Sequence, residues 1–384
     1  MIRRPAHVRP RRLGGPPRLK SAATSIGVAA AFLAGLVVAL SAAAQNAPPQ
    51  AYHGLNAVAI PYANGPVRME HVPEIWLRLP GSEARRFGMD TGSTGIVVSS
   101  EHYIPGPNDV EGGPGQLVYN SSGRVLHGTH WTTDVEIMHD RERPAATARV
   151  QVLRIGRITC LAHARDCEPR ERPNGVSFMG VGFGRNSARG MEPTVQRNPF
   201  IALTSLASGV PANTVRPGYI VTREGIHLGM TPELTRNFAF VKLTPKATVG
   251  GLPEWDSAPL TVSVDGVTGT GTSLMDTGIN YMFLSPPAGT SLVHGRLAPR
   301  GTSISIWLPG QTRPNATYAF TVGDRRSPMH PAKVEVVRDP GTFVNTGRMF
   351  LQGFDYLYDA RGGYVGYAWA GRTNQTYGSV SIGR

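Results

Sequence analysis

Residues 87–98 read FGMDTGSTGIVV, and residues 274–284 read LMDTGINYMFL. Each stretch places Asp-Thr-Gly between apolar runs, and the two motifs are 186 residues apart. An Asp is disfavoured inside a strand, and a lone buried carboxylate is costly. An Asx turn with a structural purpose explains either triplet alone but explains the pair poorly. The repetition therefore predicts two loops that bring Asp90 and Asp276 together.

Each motif is followed at a distance by a second element that contains a glycine. These elements are residues 178–180 (FMG) in the first half and 345–347 (NTG) in the second. The order indicates an internal repeat, with two copies of one fold along the chain. The division between the halves is predicted within residues 207–217, which are rich in Gly, Pro and Asn.

The composition favours strands over helices. Charged residues make up only 17% of the chain, whereas Gly (46) and Pro (32) are frequent, which is typical of many short strands joined by turns. The strongest strand pattern is the alternating run at residues 74–79, and the best helix candidate is the short run at 200–206. We therefore predict a mainly β protein.

Two carboxylates in contact have a defined chemistry. Both cannot ionise cheaply, so one holds a proton while the other is charged. Such a pair can activate a water as general base and protonate a carbonyl oxygen as general acid. This chemistry needs no cofactor and no metal. A Gly-x-Ser-x-Gly elbow and a His-Glu-x-x-His motif, which would indicate other hydrolases, are both missing from the sequence.

These motifs resemble those of the pepsin-like aspartic peptidases over roughly residues 57–370. Asp-Thr-Gly-Ser at Asp90 and Asp-Thr-Gly at Asp276 resemble the two active-site motifs, and residues 178–183 resemble the segment that crosses the first catalytic loop. Residues 347–368 resemble the C-terminal stretch of the family. The matching positions there are Gly347, Phe350, Leu351, Asp359, Val365, Gly366 and Ala368.

The resemblance implies a bilobal double β-barrel or sandwich with the active-site cleft between two related lobes. It implies Asp90 and Asp276 as catalytic residues and an extended peptide or protein as substrate. The supporting residues it implies are Thr91 and Thr277 as cross-braces, Gly92 and Gly278 in the loops, Ser93 as a donor to Asp90, Tyr119 on a flap, and Gly180 and Gly347 where strands cross the loops. We expect a monomer.

Several departures from the family pattern set this chain apart. Ile279 replaces the usual Thr or Ser, so Asp276 is expected to lack a hydroxyl donor and the pair to have a raised pKa. Val97 stands near the usual flap-supporting Trp, and residues 345–346 are more polar than the usual apolar pair. No long propeptide precedes the first strands. These features predict a divergent branch, which we expect to be bacterial.

The N-terminus is predicted to be a secretory signal. Seven basic residues and no acids precede position 46, and an apolar run at 26–40 is followed by small residues up to Ala44. The run is short of the roughly 20 residues that a membrane span needs, although an uncleaved anchor remains the alternative. Without residues 1–45 the net charge falls from +13 to +6, and the scattered remaining bases do not indicate nucleic-acid binding.

The resulting organisation has four parts: a signal peptide at 1–44, a linker at 45–56, a first lobe at 57–212 and a second lobe at 213–384. Export places the two cysteines, Cys160 and Cys167, in oxidising conditions, so a disulfide is expected, with two free buried thiols as the alternative. We expect a periplasmic or extracellular aspartic endopeptidase without a stable membrane span. The alternative is a non-catalytic peptide-binding or inhibitor protein on the same scaffold.

Overall fold

The protein is mainly β. A computed structural model describes residues 48–119, 122–162, 164, 167–184, 197–207, 209–249 and 251–371. Strands account for 49% of the structure and helices for 6%, so the predicted class is confirmed at this level. The predicted signal peptide and its cleavage after Ala44 lie outside the described residues. No helix of the described part has the length and apolarity needed to cross a membrane.

The strands of the first half are β1 Ala57–Pro61, β2 Glu74–Arg78, β3 Arg85–Asp90, β4 Thr94–Ser99, β5 Val110–Tyr119, β6 Arg124–Met138, β7 Pro144–Cys160, β8 Arg170–Glu171, β9 Ser177–Val181 and β10 Leu203–Leu206. Those of the second half are β11 Gly218–Val221, β12 Gly225–Gly229, β13 Ala239–Lys242, β14 Pro245–Val249, β15 Leu252–Trp255, β16 Ala258–Val264, β17 Val267–Leu274, β18 Met282–Ser285, β19 Ser303–Leu308, β20 Ala316–Thr321, β21 Val334–Val336, β22 Thr342–Asn345, β23 Phe354–Asp359 and β24 Tyr364–Trp369.

Helical structure is limited to short turns in the described residues. An α-helix, α1, spans Pro232–Thr235, and 3-10 turns span Gln50–Tyr52, Ser100–His102, Ala212–Thr214 and Arg348–Gln352. The prediction of a helix at 200–206 is wrong, because β10 occupies the end of that run and pairs with β7. A run this short is poorly suited to nucleate a helix, and the edge of a sheet satisfies its backbone groups instead.

Alternating burial explains why the predicted strands form. In β2, Ile75 and Leu77 are fully buried while the residues between them are half-buried, and β19 alternates in the same way. The β-branched and large apolar side chains of one strand face enter a single large core. Removing such side chains from water is the main favourable term in the folding of these strands.

The strands form three large sheets. The nine-stranded sheet has the order β10-β7-β4-β9-β3-β2-β6-β5, with β8 beside β7. The seven-stranded sheet has the order β20-β19-β16-β17-β22-β18-β21, and the six-stranded sheet has the order β1-β12-β11-β23-β24-β13. The short pair β14-β15 stands apart from them. The six-stranded sheet draws β1 from the start of the chain and its other strands from the second half.

The internal repeat predicted from the motifs is present in the strand order. In the nine-stranded sheet, β9 lies between β3, to which it is parallel, and β4, to which it is antiparallel. In the seven-stranded sheet, β22 lies in the same way between β17 and β18. These two sets of three strands carry the two Asp-Thr-Gly motifs at the same place. The first motif begins at the last residue of β3, and the second begins two residues after the end of β17. The same local topology therefore presents both carboxylates.

The segment predicted as a linker is anchored at Tyr52. This side chain is fully buried, and its hydroxyl donates to Asp359 Oδ2 at 3.2 Å. Asp359 is itself completely buried, and Arg216 Nε lies 2.9 Å from both of its carboxylate oxygens. The backbone N–H of Gly362 donates to Asp359 Oδ1 at 2.8 Å. The buried charge is thus neutralised and its oxygens are satisfied.

Replacing Arg216 with Met is expected to destabilise the protein strongly. The substitution keeps an apolar stem but leaves the Asp359 carboxylate buried without its cation. Breaking a buried ion pair in this way costs about 3–5 kcal/mol in unfolding free energy. Equilibrium denaturation by urea measures the effect, and Arg338→Met, at an exposed arginine, is the matched control. A loss no larger than that of the control would contradict this account of Asp359.

Candidate active site

The two Asp-Thr-Gly loops meet in the structure. Asp90 is the last residue of β3, and Asp276 follows β17 by two positions. Both residues are largely buried: 8% of the surface of Asp90 and 7% of the surface of Asp276 are exposed. The loops are joined by reciprocal hydrogen bonds, so residues far apart in sequence form one cluster.

The threonines brace the loops symmetrically. Thr91 Oγ1 donates to the carbonyl oxygen of Met275 at 2.7 Å and accepts from the backbone N–H of Thr277 at 3.0 Å. Thr277 Oγ1 donates to the carbonyl oxygen of Met89 at 2.8 Å and accepts from the N–H of Thr91 at 3.1 Å. Four buried hydrogen bonds therefore fix the relative position of the loops, and each depends on a hydroxyl that both donates and accepts.

The glycines let the loops approach closely. A Cβ atom placed on Gly92 would lie 2.3 Å from Asp276 Cγ, and one placed on Gly278 would lie 2.7 Å from Asp90 Cγ. Each glycine thus lies against the carboxylate of the other loop. No residue with a side chain fits at either position without displacing a carboxylate.

Hydrogen-bond donors surround the carboxylate of the first loop. The backbone N–H of Gly92 donates to Asp90 Oδ1 at 2.6 Å, and Ser93 Oγ donates to Asp90 Oδ2 at 2.6 Å. The Ser93 contact is the one that the family resemblance implied. Both donors come from the loop itself.

The second loop obtains its outer donor from a neighbouring strand. The N–H of Gly278 donates to Asp276 Oδ1 at 2.8 Å, which matches the first loop. Asn345 Nδ2, at the end of β22, donates to Asp276 Oδ2 at 2.6 Å. Ile279 supplies no hydroxyl donor, as expected, but the amide of Asn345 takes the place of that donor. The polar residues at 345–346 departed visibly from the family pattern, but sequence reasoning assigned them no role.

The surroundings of Asp276 favour its protonated form. Burial raises the pKa of Asp276 well above the ordinary carboxyl value, and the nearby charge of Asp90 raises it further. The hydrogen bonds from Asn345 and Gly278 act in the opposite direction because they stabilise the charged carboxylate. The raised pKa of Asp276 therefore favours a pair that shares one proton.

A buried arginine, which sequence reasoning missed, lies behind the second loop. Arg348 is 4% exposed, and its Nη1 donates to the carbonyl oxygen of Thr277 at 2.9 Å. Its Nε and Nη2 donate to the carbonyl oxygens of Arg68 and Met69, both at 3.1 Å. Burial lowers the pKa of Arg348, while the charges of Asp276 and Asp90 raise it. The guanidinium ties the loop to residues 68–69 and adds positive potential beside the carboxylates.

Tyr119 occupies the edge of the site. It ends β5 in the hairpin with β6, and its ring centroid lies 6.3 Å from that of Phe178. Burial raises the pKa of its phenol, the charge of Asp90 raises it further, and a hydrogen bond with Ser93 lowers it. The ring packs against a small core that includes Val97, the residue at the expected Trp position. Residues 120–121 of the predicted flap lie outside the described part of the chain.

Two glycines allow the central strands to pass the loops. A Cβ on Gly180 would lie 2.5 Å from the backbone nitrogen of Thr94, and one on Gly347 would lie 2.4 Å from the carbonyl oxygen of Tyr281. Gly347 also has a φ of 65°, which favours glycine. These contacts hold β9 and β22 against the two loops.

Cys160 and Cys167 form a disulfide in the structure, and no cysteine is free. Cys160 ends β7, where it lies opposite Arg124 of β6 in the hairpin that carries Tyr119. In the part of the chain that the structure describes, no group of three or more His, Cys, Asp or Glu side chains could hold a metal ion.

The arrangement of Asp90 and Asp276 is suited to proton transfer to and from a molecule bound between the two carboxyl groups. Two carboxyl groups lie within hydrogen-bonding reach of each other, in a largely buried site with preorganised donors. No protein-family model matches the chain, and no curated protein matches it by sequence.

Proposed function

We propose that the chain is an exported aspartic endopeptidase of the pepsin-like family, which hydrolyses extended peptides with a water activated by Asp90 and Asp276. The observation that carries the proposal is the reciprocal bracing of two identical Asp-Thr-Gly loops by Thr91 and Thr277. A structural Asx turn requires neither the second loop nor the contact between the carboxylates. The repeated trios of strands favour two related lobes with a cleft between them.

The mechanism assigns different tasks to the two carboxyl groups. Asp90, charged, accepts a proton from a water whose oxygen attacks the carbonyl carbon of the scissile peptide bond. Asp276, protonated, gives its proton to the carbonyl oxygen, so that a neutral tetrahedral diol forms. Asp90 then passes its proton to the amide nitrogen while Asp276 takes a proton back from a diol hydroxyl. The carbon–nitrogen bond breaks, and the pair returns to its starting state.

Other features of the protein support export and a flap over the site. The disulfide between Cys160 and Cys167 suits an oxidising compartment such as the periplasm or the extracellular space. The hairpin β5–β6 carries Tyr119 beside Ser93 and Asp90, where it could cover a bound peptide. Peptide recognition in an extended conformation would satisfy the backbone groups of the substrate. We propose that the enzyme works as a monomer.

Cleavage of denatured protein across a pH series tests the proposal. The full chain is expressed for export, purified, and incubated with a denatured protein mixture from about pH 3 to about pH 9. We expect cleavage with a bell-shaped pH dependence, because the pair is active with one proton and inactive with two or none. Since the Asp276 pKa is raised, the alkaline limb should lie above the ordinary carboxyl range.

A statine-type transition-state analogue serves as the control in a parallel sample. It should abolish cleavage, because its hydroxyl replaces the attacked carbonyl between the two carboxyl groups. A folded protein that cleaves nothing at any pH contradicts the enzymatic proposal. Binding of the inhibitor without cleavage would then favour the alternative of a non-catalytic peptide-binding protein on the same scaffold.

A further inference from the structure

We infer that Asn345 is a positioning residue of the carboxylate pair, which replaces from β22 the hydroxyl donor that Ile279 cannot supply and holds the second carboxylate in place. The inference rests on the proposed function, which it deepens by naming the group that holds the second carboxylate. Asn345 touches the outer oxygen of Asp276 and acts through it.

The comparison of the two loops locates the replacement. In each loop the glycine two positions after the aspartate donates its backbone N–H to the inner oxygen, Oδ1. In the first loop Ser93, three positions after Asp90, donates to the outer oxygen, Oδ2. Ile279 holds the corresponding position after Asp276 and has no polar side-chain atom. Asn345 provides the missing contact at 2.6 Å, the same length as that from Ser93.

The amide of Asn345 is held in one orientation. Its Oδ1 accepts the backbone N–H of Gly347 at 3.0 Å, so the NH₂ group must face Asp276. The reverse orientation would set the NH₂ group against the N–H of Gly347 and an amide oxygen against the carboxylate. Asn345 is 4% exposed, and the strand end is fixed by the N–H of Arg348, which donates to the carbonyl oxygen of Ile279 at 2.9 Å. The donor therefore cannot rotate away without breaking two buried hydrogen bonds, those with Asp276 and with Gly347.

This fixed donor makes the two carboxylates chemically different. A serine hydroxyl can donate or accept, so Ser93 tolerates a proton on either oxygen of Asp90. An amide NH₂ only donates, and a protonated carboxyl oxygen is a weaker acceptor than a charged one. Both donors to Asp276, the amide of Asn345 and the N–H of Gly278, therefore stabilise its charged form.

Other ionisable groups near the pair bear on any pH measurement. Arg348 lies behind the second loop, Tyr281 interacts electrostatically with Asp276, and Tyr119 interacts with Asp90. Both phenols have pKa values raised above the ordinary tyrosine value, mainly by burial, and Arg348 remains a cation across the acidic and neutral range. Shifts seen below about pH 9 on changing Asn345 therefore belong to the carboxylates.

The test compares Asn345→Leu, Ile279→Thr and the double variant. Asn345→Leu removes the donor at similar volume, so the charged form of Asp276 loses a hydrogen bond and its pKa rises. We expect the alkaline limb of the pH–rate profile to move up by about one pH unit and kcat to fall about tenfold. In the double variant, the introduced threonine hydroxyl should donate as Ser93 does and return the limb toward its original position. Ile279→Thr alone should move the limb little, because Asn345 already occupies the outer oxygen.

A carboxyl titration separates this inference from the proposed function. The ¹³C resonance of the Asp276 carboxyl, assigned with Asp276→Asn, reports its pKa without any substrate. An upward shift in Asn345→Leu that the added Ile279→Thr change reverses supports the inference even if the protein cleaves nothing, which would overturn the proposed function alone. A cleaving wild type together with an unmoved Asp276 titration in Asn345→Leu overturns the inference alone. If Asn345→Leu does not fold, Asn345→Ala removes the same donor in less space, and the same shift is required of it.

Discussion

Asp276→Asn and Asp90→Asn are each expected to lower kcat for peptide cleavage by about 1,000-fold or more while the protein stays folded. The change at Asp276 keeps the shape of a protonated carboxyl group and its neutral charge, but an amide cannot give its proton to the carbonyl oxygen. The change at Asp90 removes the base that accepts a proton from the water. General acid and base catalysis contribute about 100- to 10,000-fold each, so the loss should be near the upper end of that range.

The measurement is kcat on a peptide from the cleaved mixture, with thermal unfolding and inhibitor binding measured on the same samples. Asp339→Asn is the matched control, because Asp339 is exposed and outside the site. The loss must be seen in both site variants and not in the control. More than a tenth of wild-type activity in either site variant would show that the two aspartates do not form the catalytic pair.

Gly92→Ala is expected to lower kcat by about 100-fold or more, although the change adds a single methyl group. The new Cβ would lie 2.3 Å from Asp276 Cγ and at the same distance from Asp276 Oδ2, so the loop or the carboxylate must move. A displacement of about 1 Å in a catalytic group costs roughly 100-fold in rate. Overpacking should also destabilise the fold by about 1–3 kcal/mol.

Gly156→Ala provides the control, because this glycine lies in β7, is exposed, and has no atom near the added methyl group. Its kcat should equal that of the wild type. To separate displacement of the carboxylate from unfolding, kcat and the free energy of unfolding are measured on the same Gly92→Ala sample. A large loss of kcat in a protein that is still folded indicates displacement. Wild-type kcat in folded Gly92→Ala would mean that the two loops are not as close in solution as the structure places them.

The sequence predicted the centre of the site because its signal is local and repeated. Asp-Thr-Gly is a short motif whose geometry is set within a few residues, and its second copy implied a partner for the first. The Ser93 contact is equally local, since the donor and Asp90 are three positions apart. Motifs of this kind carry their own hydrogen-bond partners with them.

Contacts between distant segments could not be predicted in the same way. Asn345 lies 69 residues from Asp276 and Arg348 lies 71 residues from Thr277, and only the pairing of β22 with β17 brings them together. The unusual polarity at residues 345–346 was visible, but nothing in one sequence indicates which loop an Asn reaches. Similarly, the hydroxyl of the buried Tyr52 donates to Asp359, which lies 307 residues away in the sequence.

The mistaken helix at 200–206 has a different cause. Short apolar runs fit both a helix and a buried strand, and the outcome depends on whether a neighbouring strand edge is free. Here β7 offers that edge, with Leu203 opposite Ala148. Tertiary pairing thus overrides a weak local preference.

The unequal donors of the two loops bear on how such a duplicated architecture can diverge. Two identical copies of either half, joined as a symmetric pair, would surround both carboxylates with the same groups, and the shared proton would have no preferred owner. Fusion into a single chain allows one copy to mutate without the other. Once Asn345 and Ile279 differ from their counterparts in the first copy, the two carboxylates have different surroundings, and neither half can replace the other.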